Sequence, residues 1–579
     1  MPRPPLIGCL VLWACGAPQR LPAEEELALT DRDGDGAPAG PDCDDHNPGV
    51  APGLAEICDH LDNNCDGQVD EGVLDAWAPD ADGDGFKDPT AEPVLHCDAL
   101  DGHLPVRAAD DCDDADPLTH PGAPERCDDR DNDCDGETDP TSCRPLATAE
   151  GQLRGDAARQ RLGHALSAAF DADGDGAPEV AVGLPGDASA GSDSGRVLVV
   201  ALPLPANAGP ADARVSIGGA ALGDRLGQSL AAAGDLNADG YDDLWVGAPG
   251  DTAGGVDAGA ALLWFGPLDG ASPDAPEARL VGGEIGGQVG LTVAGGTDLD
   301  GDGTPDLLAA APSLAIPAVA LLPGGARGTA RFADAPVRFE AGGPEGLFGR
   351  SIALGDLDGD GVGDVVIAEQ GHDGGRGRVF VWAGPLAGLH GAGTADGLWL
   401  GTAARAGLGG ALAIIGDADG DGLPEVAVGA PDDDTAGVGA GAVVVLAGPA
   451  FGAGSADGMA RVLGRLAGDH AGTAVAAAGD RDGDGAPDLL IGASVEDSAA
   501  LNAGAAFLVT TPTSGTLYLN AAGVGLLGEA EGDQAGWSVA TAPDIDGDGL
   551  PDLLVGAPFH DVGGATDAGA LYLLGTRGL

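Results

Sequence analysis

The sequence predicts an all-β protein, a seven-bladed β-propeller preceded by a small irregular domain rich in disulfides and calcium. Three observations predict it. Between Asp171 and Asp552 an acidic nine-residue word, D-x-(D/N)-x-D-G-x-x-(D/E), recurs seven times at nearly constant spacing; a short apolar run follows each copy; and eight of the ten cysteines fall within Cys43–Cys143, ahead of these repeats, with none inside them.

The words open at Asp171, Asp235, Asp298, Asp356, Asp417, Asp480 and Asp544, with successive spacings of 64, 63, 58, 61, 63 and 64 residues. A period that regular means stacked copies of one unit, and a finite count of seven suggests a closed ring. Each word puts carboxylates or an amide at positions 1, 3, 5 and 9 and leaves position 7 to offer a carbonyl, which is hard-cation chemistry suited to Ca²⁺. The expected metal ligands are Asp171, Asp173, Asp175 and Glu179; Asp235, Asn237, Asp239 and Asp243; Asp298, Asp300, Asp302 and Asp306; Asp356, Asp358, Asp360 and Asp364; Asp417, Asp419, Asp421 and Glu425; Asp480, Asp482, Asp484 and Asp488; and Asp544, Asp546, Asp548 and Asp552. Four carboxylates so close repel one another without a counter-cation. One such turn could be merely solvated, but seven in register are not explained that way. An EF-hand is excluded, because position 12 is apolar in every copy (Val182, Val246, Ala309, Ile367, Val428, Ile491, Val555) and lies in a β-branched run rather than a helix.

Small-residue pieces such as "RLGQSLAAAGD" precede each loop, as expected of strands crowded around an axis. A second apolar strand ("AGAVVVLAGP") and a fourth candidate ("ARLVGG") follow, giving four strands per unit. The seventh loop has only two strands after it. The missing outer strand is expected from the other end of the domain, with residues near Glu150–Gly155 pairing with Ala570–Leu574 to close the ring.

"GLFGRS" and "VGAP" around "DxDGDGxPD" resemble the FG-GAP repeats of integrin α-subunit propellers, over roughly Ala147–Leu579. The resemblance implies extracellular ligand binding or adhesion, with cation loops that rigidify the blades. The chain departs from integrins in having no hydrophobic segment near Leu579 and no insertion large enough for an extra binding domain.

Cys43, Cys58 and Cys65 recur as Cys112, Cys127 and Cys134 with the same spacings of 15 and 7, inside repeated words that begin "DCDD". An even set of eight in an exported segment reads as a disulfide framework whose connectivity stays open. Acidic loops precede each set: Asp31, Asp33 and Asp35, then Asp80, Asp82, Asp84 and Asp88. With so few apolar residues these modules need metal and disulfides to fold. The words resemble the metal-binding repeats of the MopE type found in bacterial surface proteins, and more loosely the Ca²⁺ repeats of thrombospondins. The first resemblance brings copper into view, since His46, His60, His96, His103 and His120 lie here; His46 and His120 read as turn residues, and calcium is the expected metal.

The N-terminus, with Arg3, an apolar Leu6–Ala14 stretch and small residues after it, reads as an export signal too short to span a bilayer. "LWAC" resembles a lipobox with Cys15 as the lipidated residue. The expected layout is a signal at 1–15, an acidic tether at 16–30, Cys-rich modules at 31–73 and 74–144, and the propeller at 145–579. Composition agrees with export: 26 Lys and Arg against 94 Asp and Glu give a net charge of −68, which excludes nucleic acid and anionic membrane as electrostatic partners. No nucleophile elbow, zinc-spaced histidine pair or phosphate loop appears. The expectation is therefore a monomeric, calcium-binding, non-enzymatic surface lipoprotein that binds an extracellular protein or glycan. The alternatives are a propeller enzyme or binder acting on polysaccharide, and a surface copper-binding protein.

Overall fold

The computed structural model describes residues 31–575 apart from 39, 118, 122, 124–130, 135, 137–142, 269–274, 345, 482 and 520–522. The leader, Cys15 and the tether therefore lie outside the described residues. Those up to 123, with those in 131–137, form one compact unit, and those from 143 onward form another.

The first unit has little to bury. Among the described residues its core apolar side chains are Val50, Ala51, Ala78 and Ala123, far short of what a chain of this length needs. Crosslinks take over that role: Cys43–Cys65, Cys58–Cys97 and Cys112–Cys134, while Cys143 is also disulfide-bonded. Cys127 lies outside the described residues. The first and third bridges each span 22 residues at equivalent places, as the duplication requires. A three-stranded sheet of Val94–His96, Asp75–Pro79 and His103–Pro105 fills the stretch between the two cysteine sets.

The second unit is all β. Its seven sheets follow one another along the chain, and each contains one strand that starts on an acidic loop: Glu179–Leu184, Asp243–Ala248, Asp306–Ala311, Asp364–Glu369, Glu425–Ala430, Asp488–Ala493 and Asp552–Ala557. Every residue in these strands is buried, because each sheet is covered on both faces, and so they read as unbroken apolar runs. Seven clusters of buried side chains fill the spaces between successive sheets; the seventh joins Leu554, Leu571 and Leu573 of the last sheet to Val180, Val182 and Leu198 of the first, so the packing closes on itself.

The glycine of "VGAP" has a steric reason. A Cβ on Gly247 would lie 1.9 Å from the carbonyl oxygen of Gly290 in the next sheet, and Gly556 is approached in the same way by Gly163 O at 2.2 Å. Backbone packs directly on backbone there, which only glycine permits.

The expected closure is present. Gly151–Arg154 pairs antiparallel with Ala570–Leu574, Leu153 opposite Leu571 and Arg154 opposite Ala570. The expectation of four strands per unit needs correction. Five sheets carry a fifth, parallel strand supplied by the chain of the following sheet: Gly328–Arg331, Gly388–Gly391, Gly452–Ser455, Thr516–Tyr518 and, for the sixth, Cys143–Pro145. The last sheet has a single bridge of this kind, Leu153 to Ala208. These segments cover otherwise open sheet edges, the physical reason for their presence.

Candidate metal centres

The acidic loops share one hydrogen-bond scheme, set by short carboxylates bonding to the backbone a few residues on. In the fifth loop Asp417 accepts from Gly420 N at 2.7 Å and Gly422 N at 3.0 Å, Asp419 from Asp421 N at 3.1 Å, and Asp421 from Leu423 N at 2.9 Å. The loops at Asp171, Asp298, Asp356 and Asp544 repeat these four bonds. Asp480 and Asp484 keep their part of the scheme; Asp482 lies outside the described residues. In the loop at Asp235, Asn237 takes the position-3 role with Asp239 N, and position 4 is Ala238 at φ 58°, where the other loops place glycine. A non-glycine residue in that region is strained.

Position 9 does a separate job. Glu179, Asp243, Asp306, Asp364, Glu425, Asp488 and Asp552 open the buried strands, and each accepts the N–H of position 2 of its own loop. Glu179, Asp243 and Asp306 have no exposed surface at all. Burial, opposed by these bonds and reinforced by the other loop carboxylates, pushes Asp243 up to about 7 and Asp306 up to about 6, and raises Glu179, Asp364, Glu425 and Asp552. Asp552 Oδ1 is buried without a hydrogen-bond partner.

Those observations fit a hard divalent cation. Ligand atoms of Asp417, Asp419, Asp421 and Glu425 lie within 4.8 Å of one another, all are oxygens, and an anionic cluster whose ninth-position carboxylate is buried lacks the positive charge that would offset its desolvation. The cation would be held at positions 1, 3, 5 and 9, and it would supply structural charge neutralisation.

In the first unit, Asp31, Asp33 and Asp35 also cluster within 4.8 Å, and Asp80, Asp82 and Asp84 adopt the same turns. Asp88 differs from its expected place: its Oδ1 accepts from Thr90 N and Thr90 Oγ1, both at 2.6 Å, and these bonds hold its carboxyl below the usual range. Two loops beyond those expected carry the same word, one opening at Asp62 and its counterpart "DNDCDGETD" opening at Asp131, which lies partly outside the described residues. "DNNCDGQVD" matches the nine-residue word, and Asp62, Asn64 and Asp66 make its turn bonds to Asp66 N, Gly67 N and Gln68 N.

The first propeller loop has an internal competitor. The Arg214 guanidinium pairs with Asp173, with Asp175 at 3.1 Å and with Glu179 at 3.3 Å. Loop charge thus falls from −4 to −3, the same as in the loop carrying Asn237. Arg214→Gln should tighten cation binding at the first loop several-fold without changing the others, read by titrating Ca²⁺ against a variant with all other position-1 aspartates kept. Unchanged affinity would show that the arginine swings away on binding.

The comparisons agree with this geometry. The FG-GAP repeat family matches at residues 226–264, 348–382 and 535–574, each spanning an inner strand, an acidic loop and the strands that follow. The chain carries FG-GAP repeats. The Cu-binding_MopE metal-binding motif matches at 42–71 and 111–140. Similar proteins include integrin alpha pat-2 of Caenorhabditis briggsae (46% identity over 87 residues, 14% of this chain and 7% of that one), integrin alpha-5 of Xenopus laevis (37% over 92 residues, 15% and 8%) and integrin alpha-IIb of Mus musculus (31% over 165 residues, 28% and 16%). The matched stretches thus span under a fifth of these relatives' own length.

Proposed function

We propose that the FG-GAP unit is a calcium-stabilised seven-bladed propeller that binds an extracellular protein or glycan, as part of an exported, integrin-like surface protein without enzymatic activity. One observation carries the reading. Within antiparallel sheets the acidic loops all join the first strand to the second, so they gather at one end of the strands. The loops at the opposite end expose large apolar side chains: Leu222, Val256, Ile285, Ile316, Val438 and Leu501 are 52–79% accessible. Apolar exposure concentrated on one face, with the charged loops on the other, is what a binding surface requires.

The same end holds a hollow of about 640 Å³ lined by Arg405, Asp432, Asp434, Val438 and His470, with His470 Nδ1 3.3 Å from Asp432. No tryptophan, tyrosine or phenylalanine lines it, which favours a binder over a polysaccharide-cleaving site. No helix among the described residues is long and apolar enough to cross a membrane; attachment would come from lipidation at Cys15.

The test is a pull-down from envelope extract with the mature chain, in Ca²⁺ and in chelator. A partner retained only in Ca²⁺, and lost from an Ile285→Asp/Val438→Asp double variant that melts like the parent, is the expected result. Capture that is indifferent to both changes would sink the reading.

A further inference from the structure

The two acidic loops of the first unit are incomplete as written. Position 9 after Asp31 is Ala39, which has no carboxylate, and position 9 after Asp80 is Asp88, which is engaged with Thr90. In the FG-GAP loops the position-9 carboxylate accepts the N–H of position 2. Here that N–H is taken from elsewhere: Arg32 N donates to Asp45 Oδ1 at 3.1 Å, and Ala81 N donates to Asp114 Oδ1 at 2.9 Å. Asp45 and Asp114 are the last residues of the two "DCDD" words.

The first residue of each word makes the second observation. Asp42 and Asp111 are 8% and 2% exposed. Each uses Oδ1 to accept the N–H two residues on, Asp44 N and Asp113 N, both at 2.9 Å. That leaves Asp42 Oδ2 and Asp111 Oδ2 buried without a hydrogen-bond partner. The same oxygens are orphaned in the facing loops, Asp33 Oδ2 and Asp35 Oδ2 in one copy, Asp82 Oδ2 and Asp84 Oδ2 in the other. Asp42 acts electrostatically on Asp33, and Asp111 feels the charges of Asp84, Asp82 and Asp114. An acidic cluster on a surface is ordinary; three equivalent orphaned carboxylate oxygens in two copies, one of them on an almost fully buried side chain, are not.

We infer that each MopE-type motif completes a cation site begun outside it: Asp31, Asp33 and Asp35 with Asp42 and Asp45, and Asp80, Asp82 and Asp84 with Asp111 and Asp114, each holding one hard divalent cation of the calcium class. In the first site the two halves are 11 residues apart, counted from Asp31 to Asp42; in the second they are 31 apart, from Asp80 to Asp111, with the three-stranded sheet looped out between them. The metal thus acts as a noncovalent counterpart of the disulfides, tying each motif to the chain before it. Asp88 has no part in the site.

This inference rests on the calcium reading of the loops, and the test separates the two. Bound Ca²⁺ per chain is measured by equilibrium dialysis at about 1 mM free Ca²⁺, near the weak end of extracellular sites, on the full exported chain and on Asp42→Asn, Asp111→Asn, Asp88→Asn and Asp544→Ala. Asp42→Asn, Asp111→Asn and Asp544→Ala should each lose one equivalent and Asp88→Asn none. In chelator, Asp42→Asn and Asp111→Asn should melt no lower than the parent, since each removes an unpaired buried charge, and this shows that they fold. If Asp544→Ala loses an ion while Asp111→Asn keeps the full number, or if Asp88→Asn loses one, the composite site is wrong and the FG-GAP loops remain calcium sites. No binding by the parent chain overturns both.

Discussion

Deleting Thr148–Gly155 should abolish the single cooperative melt of the FG-GAP unit, whereas deleting residues 16–30 should leave its melting temperature unchanged. The deletion removes the outer strand of the last sheet and more. Leu153 is fully buried in the cluster that joins the last sheet to the first, and truncating a leucine of that kind to alanine alone costs about 2–5 kcal/mol. Arg154 bonds to Glu529 Oε1 at 2.6 Å and to His560 Nε2 at 2.6 Å, and Tyr572 donates to the same Glu529 oxygen at 2.8 Å. Removing the arginine would leave a glutamate and a tyrosine hydroxyl beside an unmatched charge. The same short strand carries the bridge from Leu153 to Ala208 of the first sheet, so its loss opens the ring at one seam on both sides. Calorimetry of the two deletions decides the matter. A truncated chain that still melts in one transition near the parent temperature would mean that the remaining six seams hold without the seventh.

Chelation should have the next largest effect, and its pH dependence should be inverted relative to ordinary acid denaturation. Asp243 and Asp306 are raised to about 7 and about 6 by burial and by their neighbouring carboxylates. A carboxyl whose folded value lies above its unfolded value stabilises the fold less as pH rises: the penalty begins near the unfolded value of about 4 and is complete once pH passes the folded value. Metal-free protein should therefore lose stability from about pH 5 to pH 7.5, with the four other raised position-9 carboxyls adding in the same direction. Calcium-loaded protein should do the reverse over that range, because the cation needs these groups ionised. Asp469, pushed up to about 7 by burial and by Glu496, lies outside the loops and keeps a small metal-free slope in both forms. Melting curves at pH 5.5 and 7.5, with calcium and with chelator, give four temperatures. A chelated protein that melts higher at pH 7.5 than at pH 5.5 would contradict the assignment of these buried carboxyls.

What the sequence revealed, and what it hid, follows from how locally each feature is encoded. The acidic loops were legible because a loop of nine residues contains its own turn bonds, as Asp417, Asp419 and Asp421 show. The closure by Gly151–Arg154 was legible from counting, since the seventh unit was a strand short. The parallel fifth strands were not: "GTAR", "GLHG" and "GAGS" are short, exposed and rich in glycine, with no alternation to mark a strand. Asp88 stands at the ninth place by spacing, and spacing does not register the two bonds its Oδ1 accepts from Thr90. Asp111 stands too far from Asp80 for any local word to connect them. The loops opening at Asp62 and Asp131 are hidden for a different reason, since a cysteine stands at the fourth place of each word and reads as part of a disulfide framework.

The borrowed outer strands change what counts as one piece of this molecule. The repeats opening at Asp298, Asp356, Asp417 and Asp480 each contribute most of one sheet and the margin of the preceding one, like courses of overlapping shingles, so there the boundaries of the repeat and of the sheet do not coincide. A unit could be added or lost without leaving a ragged margin only if its new neighbour offers a matching outer segment. A force pulling on any one sheet is likewise shared at once by the sheet that lends it a strand. Cys143–Pro145 makes the first such overlap, so tension arriving from the amino-terminal side enters the ring through two sheets together, the sixth through that strand and the seventh through Gly151–Arg154 a few residues on.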